Sequence, residues 1–516
     1  MNNPRNIILE AYTDTAESIG RKPSDPLSNS DLSLVLKYAL LRCVKQEIPD
    51  IHPDIADAGS GLGFETLNSF IRNIWDQDLE DLLRILKQDH AAEFSPEDLE
   101  QIHSERYRRR VTFLVWEQLL GQRSAPELRV CPSILPAAKY RRVVSEKPVV
   151  LVVFEAFPNI MNECFPLFVD ACVYNLETFG EPQWQVCASH IAWLDEQCRP
   201  TRAAFYDPAG YALIETDCDP PLSVCAILVL CASPTAHREV SEAATRRGIL
   251  QLNPYRHAAE TADSKIACYD LWKHAAVPTP RTVLSPAQSS PAMVQSILRE
   301  FRENSRKHSL LCAVQPDSGT EGRSVNSLIL EPERDSDAIS MVRQILTEDD
   351  AIVREWVGNV RFHAAGDMTG HVCDLRLNVS FDGQRHRAES GYLQVAGDEQ
   401  SMVSSASRGG TIRKFSRGAM ESLYGPEGRK IEWDADRLTR ICGIAESAAK
   451  AFPDLALVGV DLKLELSTSE KLDAQVLDAN PRPAGLTHSE FIPQPGKKAE
   501  PGVTRHLWRL VSNPGV

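Results

Sequence analysis

Two aspartates and an asparagine, Asp461, Asp478 and Asn480, have the types and spacing to hold a cation. The stretch LALVGVDLKLEL alternates apolar and polar residues, the pattern of a half-buried strand. STSEK follows as a polar turn and LDAQVLDAN as a second strand. A hairpin symmetric about that turn sets Asp461 opposite Asp478, with Asn480 two residues on and on the same face. Facing carboxylates repel. A divalent cation removes the repulsion, and Mg²⁺ accepts a few carboxylate or amide oxygens while phosphate oxygens and water complete its octahedron. The hairpin therefore reads as a metal–nucleotide site; the plainer reading is a solvated sheet face that happens to carry acids. The next residues, PRPAGLTHSEF, place Arg482 on a proline- and glycine-rich turn, a cation beside a phosphate-sized space.

Such a hairpin needs a scaffold, and 516 residues are enough for two to four domains. The apolar fraction of 43% and charged fraction of 25% are those of a soluble globular protein. A net charge of −15 argues against nucleic-acid binding. The basic run RYRRR at 106–110 lies in a glutamate-rich helical pattern and reads as a solvated helix face. No apolar run approaches the ~20 residues of a membrane helix, and MNNPRNIILEAY lacks the regions of a signal peptide. The thirteen cysteines are odd in number and form no CxxC pair. Several, such as Cys225, Cys231 and Cys312, lie in apolar strands and read as reduced, buried thiols. The expected location is cytoplasmic.

Residues 1–130 repeat apolar positions at three- and four-residue spacing and read as helices. GSGLGF at 59–64 follows no strand and reads as a loop. Residues 124–147 read as a linker. From 148 to about 255, apolar strands alternate with helical pattern, as in a small open α/β domain. TADSKIACYDLWKHAAVPTPRTVLSP, 261–286, reads as an amphipathic helix stopped by Val277-Pro278-Thr279-Pro280. SLLCAVQPDSGTEGRSVNSLIL reads as two strands whose DSGTEGR connection is either a phosphate-binding nest or an ordinary hairpin turn. HVCDLRLNVSFDG is a strand and turn on which Asp374, Arg376 and Asn378 share a side. Arg376 could bind an anionic group or pair with Asp374 or another acid. The stretch after Gln494 ends in a short apolar helix, TRHLWRLV.

GVDL followed by VLDANPRPAG resembles the metal-binding end of the ATP-grasp superfamily. Asn-Pro-Arg is similar to biotin carboxylase and carbamoyl phosphate synthetase, and the Gly-x-Thr…Ser after it to the D-alanine–D-alanine ligases. With the segments above, five motifs stand in the family's order over about 148–495. The resemblance implies an α/β protein with an ATP-grasp fold at 256–495 preceded by a pre-ATP-grasp α/β domain at 148–255; the N-terminal helical domain at 1–130 and the tail at 496–516 lie outside it. It implies that Lys265 reaches nucleotide phosphate. Ser318, Gly319, Gly322 and Arg323 would lie in the phosphate-covering loop, and Gln315 stands where the family has a lysine. Glu355, Trp356 and Val357 match the adenine hinge. The hinge's second glutamate has no clean counterpart; Arg361 or His363 stands nearby.

By the same resemblance, Asp461, Asp478 and Asn480 hold Mg²⁺, with Mn²⁺ as an alternative. Arg482, with Arg376 or with Arg408 of an Arg-Gly-Gly turn, stabilises the transferring phosphoryl group. His488 and Ser489 bind the acceptor. The implied reaction is ATP-dependent ligation of a small-molecule carboxylate and an amine, giving ADP and phosphate, with no nucleic-acid or membrane partner. The alternatives are a small-molecule kinase and a nucleotide-binding protein without activity. The front domain is open to three roles: covering the site, forming a homodimer or binding a partner.

Overall fold

The computed structural model describes residues 4–18, scattered residues of 35–43 and 80–99, and 147–512 apart from short internal stretches. The longest of these are 155–164, 208–211, 319–324, 364–369, 405–409 and 493–501. The chain forms two compact units, one of Met1–Cys131 with Glu155–Met161 and one of Pro132–Phe154 with Asn162–Val516. In the front unit, α1 (Pro4–Ser18) buries Ile8, Ala11 and Thr15. Arg42 pairs with both Glu10 and Asp14 of that helix. The described residues of 35–43 and 80–99 are also helical, and the remainder of the expected front helices lies outside the described residues.

The second unit holds three sheets. The first contains β1 (Val149–Phe154), β2 (Gln185–His190), β3 (Arg202–Asp207), β4 (Ala212–Asp217), β5 (Val224–Leu230) and β6 (Leu250–Gln251), in the order β4-β3-β2-β1-β5-β6. β1 is parallel to β2 and β5, β5 to β6, and β3–β4 is an antiparallel pair at the edge. All six residues of β1 are buried, as a parallel strand covered on both faces requires. α2 (Phe165–Phe179) and α3 (Pro234–Arg246) accompany this sheet. Ser233 caps α3, its Oγ accepting from the Ala236 N–H at 3.2 Å, with Pro234 in the first turn.

The helix expected over 261–286 is two helices, α4 (His257–Asp263) and α5 (Lys265–His274). Ser264 is extended between them and caps α5 through the Ala267 N–H. The Asp317 carboxylate takes the Ile266 N–H at 2.8 Å and the Ser264 hydroxyl at 2.7 Å. Two acceptors at one helix start outcompete helix continuation.

The second sheet, β7 (Thr282–Ser285), β8 (Leu310–Pro316), β9 (Asn326–Leu330) and β10 (Ala351–Glu355), is antiparallel in the order β7-β10-β8-β9. α6 (Pro291–Ser305) and α7 (Asp335–Ile345) supply Val294, Leu298, Phe301 and Val342 to its core.

The third sheet contains β11 (Arg361–Phe362), β12 (His371–Phe381), β13 (His386–Val395), β14 (Thr411–Lys414), β15 (Leu423–Tyr424), β16 (Leu457–Leu466), β17 (Leu472–Asn480) and β18 (Glu490–Phe491). Its central order is β14-β13-β12-β16-β17. One face packs on α8 (Ala435–Ala449), with Leu375, Leu377, Val460, Leu462 and Val476 in a common core. α5 joins this core through Trp272, whose Nε1–H reaches the Ala448 carbonyl at 3.2 Å.

Asn253, just past β6, ties the first sheet to the third. Its amide donates to the Leu457 and Pro481 carbonyls, each at 2.7 Å, and accepts from the Ala456 and Leu457 N–H groups. The expected tail is in part a docked clasp. The Asp170 carboxylate of α2 accepts from the Val503 and Thr504 N–H groups at 2.7 Å and from the Thr504 hydroxyl. Trp508 is fully buried, 5.4 Å from the Trp184 ring. Burial raises the Asp170 carboxyl to about 6.

Candidate active site

The polar face of the third sheet carries one row of side chains across five strands. Lys414 is the register partner of Tyr392, Tyr392 of Arg376, Arg376 of Asp461, and Asp461 of Asp478. Direct partners point to one side, so Lys414, Tyr392, Arg376 and the two aspartates share a face.

Asp461 does meet Asp478, by a less simple route than a symmetric hairpin. From the turn outward, Leu466 pairs with Leu472 and Leu462 with Val476. Carried on unchanged, that register would set Asp461 against Leu477 and turn Asp478 to the core. A bulge between Asp461 and Leu462 makes Leu477 the extra residue and returns Asp478 to the polar face.

The two carboxylates have different company. Arg376 grips Asp461 with two bonds, Nε to Oδ1 at 2.5 Å and Nη2 to Oδ2 at 2.6 Å. Of the readings open for Arg376, the structure has the ion pair, and with Asp461 rather than Asp374. Gly459 makes room for the turn after β17 rather than for the arginine: a Cβ there would lie 3.1 Å from Pro483 Cβ. Burial pushes the Asp461 carboxyl above its ordinary value against the pull of Arg376, and Asp478 adds to the push. The Asp478 side chain is 32% exposed and receives Arg354 Nη1 at 3.4 Å. Arg354 is almost fully buried on β10, so this contact joins the second sheet to the third. Asn480 donates Nδ2 to Asp461 Oδ2 at 3.2 Å, which fixes the amide orientation.

Lys265 opens α5, where its ammonium donates to the Asp317 carbonyl at 3.0 Å. Burial lowers its pKa, countered by Asp478 and Asp317. Asp317 starts the expected phosphate loop. Ser318 bonds Asp349 through its N–H and hydroxyl, and Gln315 is buried on β8 opposite Ile352. Gly319, Gly322 and Arg323 lie outside the described residues.

The expected hinge is partly occupied by the protein itself. The Glu355 N–H goes to the Arg281 carbonyl and the Trp356 N–H to the Leu311 carbonyl, each at 2.9 Å. Those two donors are closed to an adenine, while the Val357 N–H carries neither bond. Trp356 faces Lys463, whose ammonium lies 5.9 Å from the ring centre and pairs with Asp374 at 2.5 Å.

Arg482 is buried away from bulk solvent and already engaged. Nε donates to the Ala232 carbonyl at 2.9 Å, Nη2 pairs with Asp263, and Nη1 lies 3.2 Å from His237 Nδ1. His237 Nε2 sits 2.7 Å from the Asn253 carbonyl, so it carries the proton and Nδ1 accepts from Arg482. Burial, with Arg482 second, lowers the His237 pKa to about 4 and keeps that tautomer neutral. These bonds make Arg482 a tie between the first sheet, α4 and the turn after β17.

Ser489 is likewise internal. Its hydroxyl accepts from Asn378 Nδ2 at 2.7 Å and donates to the Gly485 carbonyl at 3.2 Å. His488 is half-buried; burial, with Lys414 second, lowers its pKa to about 4. Arg408 lies outside the described residues.

Arg354, Lys463, Asp317 and Asn253 escaped the sequence reading. Arg354 had a visible signal, a charge inside the apolar run AIVRE. β13, which carries Tyr392, was signalled by the Asp-Gly pair at 382–383 that ends the preceding strand.

Among the described residues, no group of three or more His, Cys, Asp or Glu side chains could hold a metal by itself. The donor set at the hairpin suits Mg²⁺ in kind: two carboxylates and an amide oxygen left over by the Asn480–Asp461 bond. Mg²⁺ usually takes one or two carboxylates and completes its shell with phosphate and water.

No protein-family model matches the chain. No curated protein matches it either. Solved structures similar to it include a D-cycloserine synthetase, 16% identical over 71% of this chain and 99% of its own, with a TM-score of 0.40. A D-Ala:D-Ser ligase from Enterococcus faecalis is 12% identical over 71% and 99%, with a TM-score of 0.43. D-alanyl-alanine synthetase A from Vibrio cholerae is 11% identical over 71% and 98%, with a TM-score of 0.41.

Proposed function

We propose that this chain is an ATP-grasp enzyme that joins a carboxylate to an amine and releases ADP and phosphate. The observation that carries the reading is the hairpin: a bulge turns Asp478 to face Asp461, and Arg376, Arg354 and Asn480 hold the pair in place. Like charges set face to face and braced from three strands suit a cation and its phosphates better than they suit stability.

Asp478 and Asn480, with Asp461, are the residues that would hold Mg²⁺. Bound there, the metal would neutralise charge on the β- and γ-phosphates. Lys265, at the start of α5, would hold phosphate oxygens. Arg376, charged and fixed by Asp461, lines the same face and would orient the reacting carboxylate.

In the first step a carboxylate oxygen attacks the γ-phosphorus and ADP leaves with the electron pair of the broken P–O bond. In the second, an amine nitrogen attacks the acyl carbon, the C–O bond to phosphate breaks, and the nitrogen gives a proton to solvent. The protein's part is positioning and charge stabilisation.

The test is product analysis with Mg-ATP, mixed carboxylic acids and amines. ADP and free phosphate, released only when both substrates are present, is the expected result. AMP and pyrophosphate would overturn the phosphoryl-transfer scheme. ADP with the phosphate retained on an organic product would make the chain a kinase.

A further inference from the structure

Arg354 is a charge inside an apolar strand. Ala351 and Val353 of β10 pack into the core formed with α6 and α7. Alternation turns Arg354 to the opposite face of the second sheet, with Thr282 of β7 on one side and Ala313 of β8 on the other. Only 4% of the residue is exposed. A guanidinium carries five N–H donors, and burying it is costly unless they are answered.

The answers it has are long. Nη1 reaches Asp478 Oδ1 at 3.4 Å and Nε reaches the Thr282 hydroxyl at 3.3 Å. Nη2 makes no hydrogen bond among the described residues. Charge-assisted bonds ordinarily measure about 2.7–2.9 Å, and Arg376 grips Asp461 with bonds of 2.5 and 2.6 Å. Arg376 is therefore committed to its acid, while Arg354 is loosely held. Lys265 lies within electrostatic reach of both partners: burial lowers its pKa, Asp478 opposes the shift and Arg354 adds to it. β8, which leads into the expected phosphate loop, brings only the neutral amide of Gln315.

We propose that Arg354 binds the polyphosphate of the nucleotide, exchanging the Asp478 carboxylate for phosphate oxygens, a role that rests on the nucleotide site proposed above. The exchange suits both partners. A planar guanidinium takes two phosphate oxygens at once, and Asp478 is released for its proposed place beside the metal. The polyphosphate then meets one cation from the second sheet and one, Lys265, from α5.

The experiment is equilibrium binding of ATP and of adenosine to the full chain in EDTA, measured by calorimetry. Arg354→Gln should weaken ATP binding about tenfold and leave adenosine binding unchanged. The same loss should persist when Arg354→Gln is added to Asp478→Asn, because no acid is then left for the arginine to screen. That double variant removes both charges of the pair, so it carries the test should Arg354→Gln alone fail to fold. Unchanged ATP binding in Arg354→Gln, a loss that vanishes in the Asp478→Asn background, or a wild type that binds ATP with Mg²⁺ and not in EDTA would each overturn the role and leave the nucleotide site standing; Arg354 would then be a counter-ion of Asp478 alone. A wild type that binds no ATP under either condition overturns both.

Discussion

β1 and β16 are both long central strands, yet only one can do chemistry. Every residue of β1 is buried, VVLVVF through its whole length, because a parallel strand between layers has no free face. β16 buries Val458, Val460, Leu462 and Leu464 and turns Gly459, Asp461, Lys463 and Glu465 the other way. The first sheet gives rigidity and the third gives a polar surface. A site of several charged groups has to be assembled where one face of a sheet is spared from the core.

The largest effect should come from erasing that difference. Val152→Asp puts an unpaired carboxylate where exposure is 0%, at a cost of several kcal/mol against a total stability of roughly 5–15 kcal/mol; circular dichroism should find little folded protein at 37 °C. Removing a charge from the polar face should cost far less in folding. Asp478→Asn, which weakens one contact of the buried Arg354, should stay folded at 37 °C with a modestly lower Tm yet lose about 10³-fold in kcat, roughly 4 kcal/mol at ~1.4 kcal/mol per factor of ten. Retained turnover would remove Asp478 from the metal site.

Arg376→Met sits between these cases, since it strands the largely buried Asp461. A loss of about 3 kcal/mol is expected by denaturant titration. Arg376→Met/Asp461→Leu should recover most of that stability and none of the activity. If the double variant stays as unstable as the single one, the ion pair is not what the arginine supplies.

The hairpin was legible because alternation and a polar turn are local signals, and those signals set Asp461 near Asp478. The bulge at Leu477 was not legible, because a one-residue slip leaves no mark on composition. Arg354 and Lys463 were hidden for a different reason: their partners, Asp478 and Asp374, lie on strands far away in sequence. The protein partners of Arg482 were not legible either, because a cation on a proline turn looks alike whether it faces a ligand or a neighbouring sheet. Only the packing of Ala232, His237 and Asp263 around it decides. Asp170 was readable in principle, as a lone acid inside the apolar stretch FPLFVDACVYNL.

The clasp on Asp170 also sets a timetable. The backbone that satisfies this carboxylate lies 333 residues further along the chain. At synthesis rates of ~5–20 residues per second, roughly half a minute passes before Val503 and Thr504 exist. Until then the inner end of α2 has an acid without its donors, and Trp184 lacks the indole that later covers it. The first sheet can form early, but it is sealed late, and that interval is when the nascent protein is most exposed to aggregation and most in need of a chaperone.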